Sequence, residues 1–163
     1  MGDLRLSVTV DAPPEIVFQT ATDFAQLAAF VPGIQEVEFV CGGPVGLGTR
    51  FRETRTMFGR DATEEMTVTG WEPPHRVALS SVSCGCRIVC EHRFRPEGDG
   101  AVVEFVMTPQ PQGALARLMM ILMAPLTWMM SRTMRTMIAD DLAALKAEAE
   151  RRARVGPDGG SPV

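Results

Sequence analysis

A change from strand to helix is encoded in residues 4–18, LRLSVTVDAPPEIVF. Every second residue from Leu4 to Val10 is apolar, and this period of two predicts a strand with one buried face. Residues 11–14, Asp-Ala-Pro-Pro, then end the strand. Proline suits the first turn of a helix, and Glu15 places negative charge near its positive end. The segment therefore predicts one half-buried strand that leads directly into a helix.

Outward from this stretch, a second short helix is predicted from an N-cap at Asp23 through Phe30, ended by Pro32-Gly33. The middle of the chain then consists of short strands separated by Gly- and Pro-rich turns. These predicted strands cover residues 34–40, 49–57, 62–69, 76–83, 87–95 and 102–108. Such even spacing is typical of an antiparallel meander. With the first strand, the sheet has about seven strands.

The last part of the chain changes to a helical pattern at Gly113. Residues 114 to about 152 are helix formers, interrupted only by Pro125, which should bend the helix or split it in two. A curved sheet wrapped around this long helix buries it efficiently, so the fold class is α+β. One domain is predicted over residues 1–152. The Gly-, Pro- and Ser-rich residues 153–163 are predicted to form a flexible tail.

The composition excludes several classes of protein. Of the 163 residues, 45 % are hydrophobic and 22 % are charged, which excludes a disordered or collagen-like chain. A net charge of −4 opposes phosphate binding, so nucleic acid is not an expected partner. The chain starts with Asp3 and Arg5 rather than an apolar run, which predicts a cytoplasmic protein.

The four cysteines predict neither a disulfide framework nor a metal centre. Cys41, Cys84, Cys86 and Cys90 do not have a zinc-ligand spacing, and no second Cys or His pair completes a site. Free Cys usually packs as a small apolar side chain. We therefore expect free thiols, no metal and no cofactor.

Four stretches carry a resemblance to a known family. They are residues 10–18 with Asp23-Phe24 and 32–34; residues 46–51, Gly-Leu-Gly-Thr-Arg-Phe; residues 71–77, Trp-Glu-Pro-Pro-His-Arg-Val; and residues 141–146, Asp-Leu-Ala-Ala-Leu-Lys. In their order and spacing the sequence resembles the polyketide cyclase/dehydrase branch of the START-like (SRPBCC) superfamily, from residue 4 to about 150.

The resemblance implies a helix-grip fold, with a curved seven-stranded antiparallel sheet around a long C-terminal helix and two short helices after strand 1. It also implies an apolar cavity between the sheet and the terminal helix. Members bind or transport lipids, sterols, polyketides, quinones or plant hormones, and some catalyse aromatisation and cyclisation of polyketide chains.

Methionine is abundant and clustered. Seven of the eleven methionines lie between Met119 and Met137, and residues 118–130 contain one polar residue, Thr127. This run is shorter than the ~20 residues of a membrane-spanning helix. Three interpretations remain: core packing against the sheet, the adaptable wall of a pocket, or docking to a membrane or partner protein.

Strand alternation places polar side chains among apolar ones. Glu53 and Arg55 share a face with Phe51, Glu64 shares one with Met66, and His92 shares one with Phe94. If these faces point to the helix, Arg55 could pair with Glu53 or Glu64; a shift of one residue would expose the set instead. The predicted ligand-binding residues are Phe51, Glu53, Arg55, Glu64, Met66, His92, Phe94, Phe105, Met119, Met123 and Trp128.

Two functions compete for this pocket. The first is a binding or carrier protein for a small lipophilic ligand, such as a lipid, polyketide or quinone-like molecule. The second is a polyketide cyclase/dehydrase-type lyase or isomerase, with acid-base candidates Glu53, Glu64 and His92; for His92 the alternative is a hydrogen-bonded interior histidine. The sequence contains no tyrosine, a common donor in polyketide cyclase pockets, which favours binding over catalysis. The oligomeric state is left open.

Overall fold

The computed structural model describes residues 3–83 and 85–156. The strands are β1 Leu4–Val10, β2 Ile34–Phe39, β3 Arg50–Met57, β4 Arg60–Glu72, β5 Arg76–Ser83, β6 Cys86–Glu97 and β7 Gly100–Pro111. The helices are α1 Pro14–Thr22, α2 Leu27–Phe30, α3 Ala114–Leu122 and α4 Ala124–Val155, and a 3₁₀ turn, Phe24–Gln26, precedes α2.

All seven strands form one antiparallel sheet in the order β1-β7-β6-β5-β4-β3-β2. Strands that follow each other along the chain are neighbours, except that β1 closes against β7, with Leu4 opposite Met107 and Val10 opposite Ala101. Together with the long C-terminal helix, this order confirms the predicted α+β helix-grip fold. Strands β4, β6 and β7 are longer than the alternation predicted, since their ends continue to pair beyond the apolar residues.

Helix α4 packs across one face of the sheet. Ile138, Leu142, Leu145 and Ala149 are buried and recur at intervals of three or four residues, so they form one stripe along the helix. This stripe belongs to the same apolar core as Phe18 of α1 and the inward side chains of the strands. The core therefore lies between the sheet, α1 and the C-terminal two-thirds of α4.

The C-terminal helical region is broken, as Pro125 predicts. Helices α3 and α4 meet at Met123 with a bend of 61°, and Pro125 lies in the first turn of α4. Proline is tolerated there because an N–H in the first turn has no acceptor within the helix. Among the described residues, no single helix is long and apolar enough to cross a membrane, although the bent pair together has such a length and composition.

Two local predictions need correction. The Asp23 side chain does not cap the second short helix; its Oδ2 accepts a hydrogen bond from Arg152 Nη2 of α4 at 3.1 Å. Helix α4 continues to Val155, so residues 153–155, assigned to the tail, are helical. The remaining tail residues from 157 onward lie outside the described residues.

Candidate ligand-binding site

A cavity of about 250 Å³ lies between the inner face of the sheet and α4. Its wall combines side chains from α1, the 3₁₀ turn, α2, the six strands β2 to β7, and α4. The residues lining it are Ala21, Phe24, Leu27, Phe30, Val31, Ile34, Glu53, Arg55, Met57, Glu64, Met66, Val77, Leu79, Ser81, Ile88, Cys90, His92, Phe105, Met107, Met134, Ile138, Asp141, Leu142 and Leu145. Most are apolar, and a few polar groups converge among them, as in pockets for small organic molecules.

One arginine connects two of the carboxylates in this wall. Arg55 Nη2 donates a hydrogen bond to Asp141 Oδ2 at 3.0 Å, which links β3 to α4. Arg55 Nε lies 2.9 Å from Glu53 Oε1, but this N–H is not directed at the oxygen, so the contact is an ion pair without a hydrogen bond. All three side chains are largely buried. The triad therefore contains two acids and one base inside an apolar wall.

The acids of this triad are shifted toward their neutral forms. Burial raises the pKa of Glu53 and of Asp141, and the positive charge of Arg55 opposes the rise without cancelling it. Burial alone would lower the pKa of Arg55, but Asp141 and Glu53 outweigh it and keep the guanidinium charged. The triad thus holds a fixed cation between two carboxyl groups that protonate more readily than exposed ones.

Glu64 and Cys90 complete the polar part of the wall on strands β4 and β6. Ser81 Oγ lies 3.4 Å from Glu64 Oε2, a long hydrogen bond from β5 to β4. Burial, reinforced by the negative charges of Glu53 and Glu64, raises the pKa of the Cys90 thiol to about 12. Since the thiolate is the reactive form, Cys90 is a poor nucleophile at neutral pH.

His92 lies deep in the wall between two aromatic rings. Its ring centroid is 4.9 Å from that of Phe105 in an edge-on arrangement and 6.3 Å from that of Phe94. Burial lowers the pKa of His92 to about 4, so the imidazole is neutral at physiological pH. Its Nδ1 is buried and has no hydrogen-bond partner among the described residues. A hydrogen-bonded interior histidine, the alternative considered from the sequence, does not describe this ring nitrogen.

Six of the predicted binding residues line the cavity: Glu53, Arg55, Glu64, Met66, His92 and Phe105. The predicted partner Glu64 is not one of the acids that pair with Arg55. Phe51 and Phe94 share the correct face but do not reach the cavity. Phe51 stacks on Phe24 at 4.6 Å between ring centroids, and Phe94 packs edge-on against Phe18 at 5.6 Å. Both belong to the packed hydrophobic core, Phe51 near the start of β3 and Phe94 near the end of β6.

Met119, Met123 and Trp128 were predicted to line the pocket, and the structure places them outside it. All three are exposed, Trp128 with 77 % of its surface accessible. Met119 precedes the 61° bend at Met123, and Trp128 lies on α4 ten residues before Ile138, where the buried stripe begins. Neither core packing nor a cavity wall therefore describes the exposed methionines of residues 118–130. Of the methionine cluster, Met134 does line the cavity, together with Met57, Met66 and Met107 from the sheet.

The most important site residue missed from the sequence is Asp141. A usable signal was present, because Asp141 lies three residues after Ile138 and four before Leu145, on the buried stripe of α4. A carboxylate on the apolar face of a helix needs a buried cation. Among the described residues, no group of three His, Cys, Asp or Glu side chains could hold a metal ion, and Cys84 lies outside them.

Comparison with known proteins identifies relatives of the whole fold. Residues 1–150 match the family described as polyketide cyclase/dehydrase and lipid transport. A search of curated proteins finds no match. Solved structures that share the fold include the di-domain ARO/CYC StfQ from the steffimycin biosynthetic pathway, with a TM-score of 0.75 and 15 % identity over 93 % of this chain and 51 % of that one.

Two further solved structures match over nearly their whole length. TTHA0849 from Thermus thermophilus has a TM-score of 0.70 and 22 % identity over 91 % of this chain and 97 % of that chain. Major latex-like protein 151 from Panax ginseng has a TM-score of 0.67 and 10 % identity over the same shares of the two chains. At these identities the likeness establishes the fold alone.

Proposed function

This chain belongs to the polyketide cyclase/dehydrase and lipid transport family, in the START-like (SRPBCC) superfamily, and from that premise we propose that it binds a small lipophilic molecule between the sheet and α4. The observation that carries the proposal is the buried triad Glu53–Arg55–Asp141 inside an otherwise apolar cavity. Apolar burial would supply affinity, and the triad would orient the ligand.

The charge balance of the cavity favours a neutral ligand that carries an oxygen. Arg55 is the only cation among the lining residues; Glu53 and Asp141 contact it, and Glu64 adds a third carboxyl group to the same wall. A ligand carboxylate would add another buried negative charge, which a low-dielectric site strongly disfavours. A hydroxyl or carbonyl oxygen can instead hydrogen-bond to these groups at lower cost. We therefore propose a mainly hydrocarbon or aromatic ligand with one neutral oxygenated end.

The test uses two ligands that differ in charge. The polarity-sensitive fluorophore N-phenylnaphthylamine is bound to the purified chain and displaced with n-decanol or with decanoate, which has the same number of carbons. We expect n-decanol to compete more strongly by tenfold or more, about 1.4 kcal/mol. Equal competition by the two would contradict the neutral-ligand part of the proposal.

A matched pair of variants tests whether the fluorophore occupies this cavity. Ala21→Trp fills the cavity from α1, whereas Ala28→Trp makes the same change on an exposed position of α2 that does not line it. We expect Ala21→Trp to abolish fluorophore uptake and Ala28→Trp to retain it. If both variants take up the fluorophore like the parent chain, or if the parent takes up none, the binding proposal fails.

A second candidate is catalysis of the cyclase/dehydrase type in the same cavity, and His92 is the observation in its favour. Its neutral imidazole, whose Nδ1 has no partner within the described part of the chain, is able to accept a proton in the same wall as Glu53 and Glu64. Turnover of a poly-β-keto thioester that is lost in His92→Gln and Glu53→Gln would favour an enzyme. Binding with the ligand recovered unchanged would favour a carrier, which we prefer.

A cytoplasmic location is part of the same proposal. It is supported by the free cysteines Cys41, Cys86 and Cys90, since reduced thiols persist in reducing compartments. Non-reducing gel analysis of the chain from a cell extract, with free thiols alkylated before lysis, should show these cysteines reduced.

A further inference from the structure

The bend between α3 and α4 produces a large apolar surface that the cavity does not use. We call residues 114–130 the elbow. Ten large apolar side chains of the elbow are exposed: Leu115, Leu118, Met119, Ile121, Leu122, Met123, Leu126, Trp128, Met129 and Met130. Half-buried residues of the elbow, such as Ala116 and Met120, are few. An exposed apolar patch of this extent marks an interaction surface.

The charge around the elbow is uniformly positive. Residues 105–139 contain no Asp or Glu but three arginines, Arg117, Arg132 and Arg135. The segment thus carries +3, whereas the whole chain carries −4, so the remainder carries −7. All three arginines are exposed, and none forms an ion pair with a described residue. The elbow is therefore a cationic apolar surface on an acidic protein.

Two more arginines extend this positive surface. Arg60 begins β4 after the turn that follows Met57, and Arg87 lies opposite Gln110 near the end of β7. Both lie at the end of the sheet from which β7 leads into α3, and neither has an ion-pair partner in the described part of the chain. Most of the other arginines, by contrast, pair with acids. Among the described residues, five of the six arginines without an ion pair are thus Arg117, Arg132, Arg135, Arg60 and Arg87, although Asp61 beside Arg60 also has no ion pair; the sixth, Arg154, lies near the end of α4.

The elbow also adjoins the cavity. Met57 and Ile88 line the cavity from the same end of the sheet, and Met134 lines it from α4, one turn beyond the elbow. Met134 is four residues beyond Met130, about 6 Å along the axis of α4, so the elbow and the cavity wall are neighbours on this helix.

We propose that the elbow docks onto a lipid bilayer that contains anionic phospholipids, with both helices lying in the plane of the interface. Trp128 and the aliphatic side chains would enter the boundary between headgroups and acyl chains, and the arginines would contact the headgroups. We place the helices in the interface rather than across the bilayer because neither alone is long and apolar enough to span it and a 61° bend divides them. Docking does not depend on the ligand proposed above.

The same charges argue against a second copy of this chain as the occupant. In a twofold symmetric interface each elbow would face the other, and Arg117, Arg132 and Arg135 would meet the same three arginines. Like charges brought together repel, and no acidic residue of the segment is available to separate them. An anionic lipid surface provides the complementary charge.

Vesicle sedimentation tests the proposal with the full chain. Vesicles of phosphatidylcholine alone are compared with vesicles that also contain phosphatidylserine, and we expect binding to the second kind, weakened by salt. Ile121→Gln combined with Trp128→Gln should reduce this binding more than tenfold. The matched control, Leu47→Gln with Val155→Gln, changes equally exposed apolar residues elsewhere and should bind as the parent does.

Arginine variants test the electrostatic part of the docking proposal. Arg117→Gln/Arg132→Gln/Arg135→Gln should lower partitioning onto phosphatidylserine vesicles by roughly fivefold for each charge removed, the effect of one basic residue near an anionic surface. Arg52→Gln/Arg95→Gln/Arg154→Gln removes the same net charge away from the elbow and should have a much smaller effect. Equal effects of the two triple variants would overturn the proposal.

Three other results would overturn it as well. They are no vesicle binding by the parent chain, equal binding to neutral and anionic vesicles, and binding unchanged by the elbow variants. If light scattering shows instead that the parent is a dimer and that Ile121→Gln/Trp128→Gln is a monomer, the elbow is an interface between copies. The elbow variants should take up N-phenylnaphthylamine normally in solution, so failure here leaves the ligand proposal standing.

Discussion

Arg55 is the residue on which the charge balance of the cavity depends. It contacts Glu53 within β3 and Asp141 across the cavity on α4, and both carboxylates are largely buried. Removing one member of a buried ionic network is costly because the remaining charges lose their partner. Replacing the whole network with neutral groups is often tolerated. The triad therefore makes a prediction that separates an ionic role from a steric one.

We predict that Arg55→Met lowers the free energy of unfolding by about 3–5 kcal/mol at neutral pH, measured by urea denaturation. The loss should shrink as the pH falls, since Glu53 and Asp141 have raised pKa values and need no cation once protonated. The control Glu53→Gln/Arg55→Met/Asp141→Asn should recover most of the stability. If Arg55→Met alone is as stable as the parent at neutral pH, the ionic role of Arg55 is refuted.

His92 predicts a pH dependence of stability with a definite sign. Its pKa is about 4 in the folded chain and 6.5 as an unperturbed side chain, so the unfolded state takes up the proton first. The contribution of neutral His92 to the free energy of unfolding is therefore fully present above pH 6.5 and is lost as the pH falls toward 4. Below pH 4 the stability no longer changes through this residue. We predict that His92→Phe removes roughly 3 kcal/mol of this acid sensitivity. Parallel stability curves of parent and variant between these pH values would contradict it.

At the same scale, the sequence predicts side chains on strands far better than those on helices. Alternation placed Glu53, Arg55 and His92 on the cavity face because a strand has only two faces, and neighbouring apolar residues identify the inner one. Asp141 was missed because a helix offers many directions, and Asp140 beside it is exposed. That His92 Nδ1 has no hydrogen-bond partner among the residues described could not be predicted, since it depends on how neighbouring strands pack around the ring.

At the scale of elements, α4 contains two parts with different roles. Its later part contributes the buried stripe with Leu142, whereas its first turns contribute exposed residues such as Leu126. We predict that Leu142→Ala costs about 2–5 kcal/mol of stability, from lost burial and an enlarged cavity. The same change at Leu126 should stay within about 0.5–1 kcal/mol. Thermal or urea unfolding of the two variants checks this, and similar losses would mean that α4 packs differently.

The helices and strands also show which features of the fold cannot be predicted from local sequence. The seven strands and the break near Pro125 follow from local signals, namely alternation, turn residues and a missing N–H. Whether α3 is covered does not follow from its sequence, because an apolar helix has the same composition in a core, at a cavity or on a docking surface. Coverage depends on tertiary geometry: a 61° bend at Met123 separates α3 from α4, and the buried stripe of α4 begins only at Ile138.

At the scale of the whole molecule, eight of the eleven methionines fall into two groups in separate places. Met57, Met66, Met107 and Met134 line the cavity. Met119, Met123, Met129 and Met130 are exposed on the elbow. Flexible thioether side chains adapt to ligands of irregular shape and also to fluid apolar surfaces. The two groups therefore report separately on the two proposed activities, binding inside the cavity and docking through the elbow.

Methyl NMR of the full chain, labelled with ¹³C at the methionine methyl groups and titrated with n-decanol in the absence of lipid, tests the central claim most directly. Single Met→Leu variants assign the resonances. We predict that the signals of Met57, Met66, Met107 and Met134 shift in a saturable manner while those of Met119, Met123, Met129 and Met130 stay in place. Shifts confined to the elbow methionines, with the cavity methionines unchanged, would contradict a ligand-binding cavity between the sheet and α4.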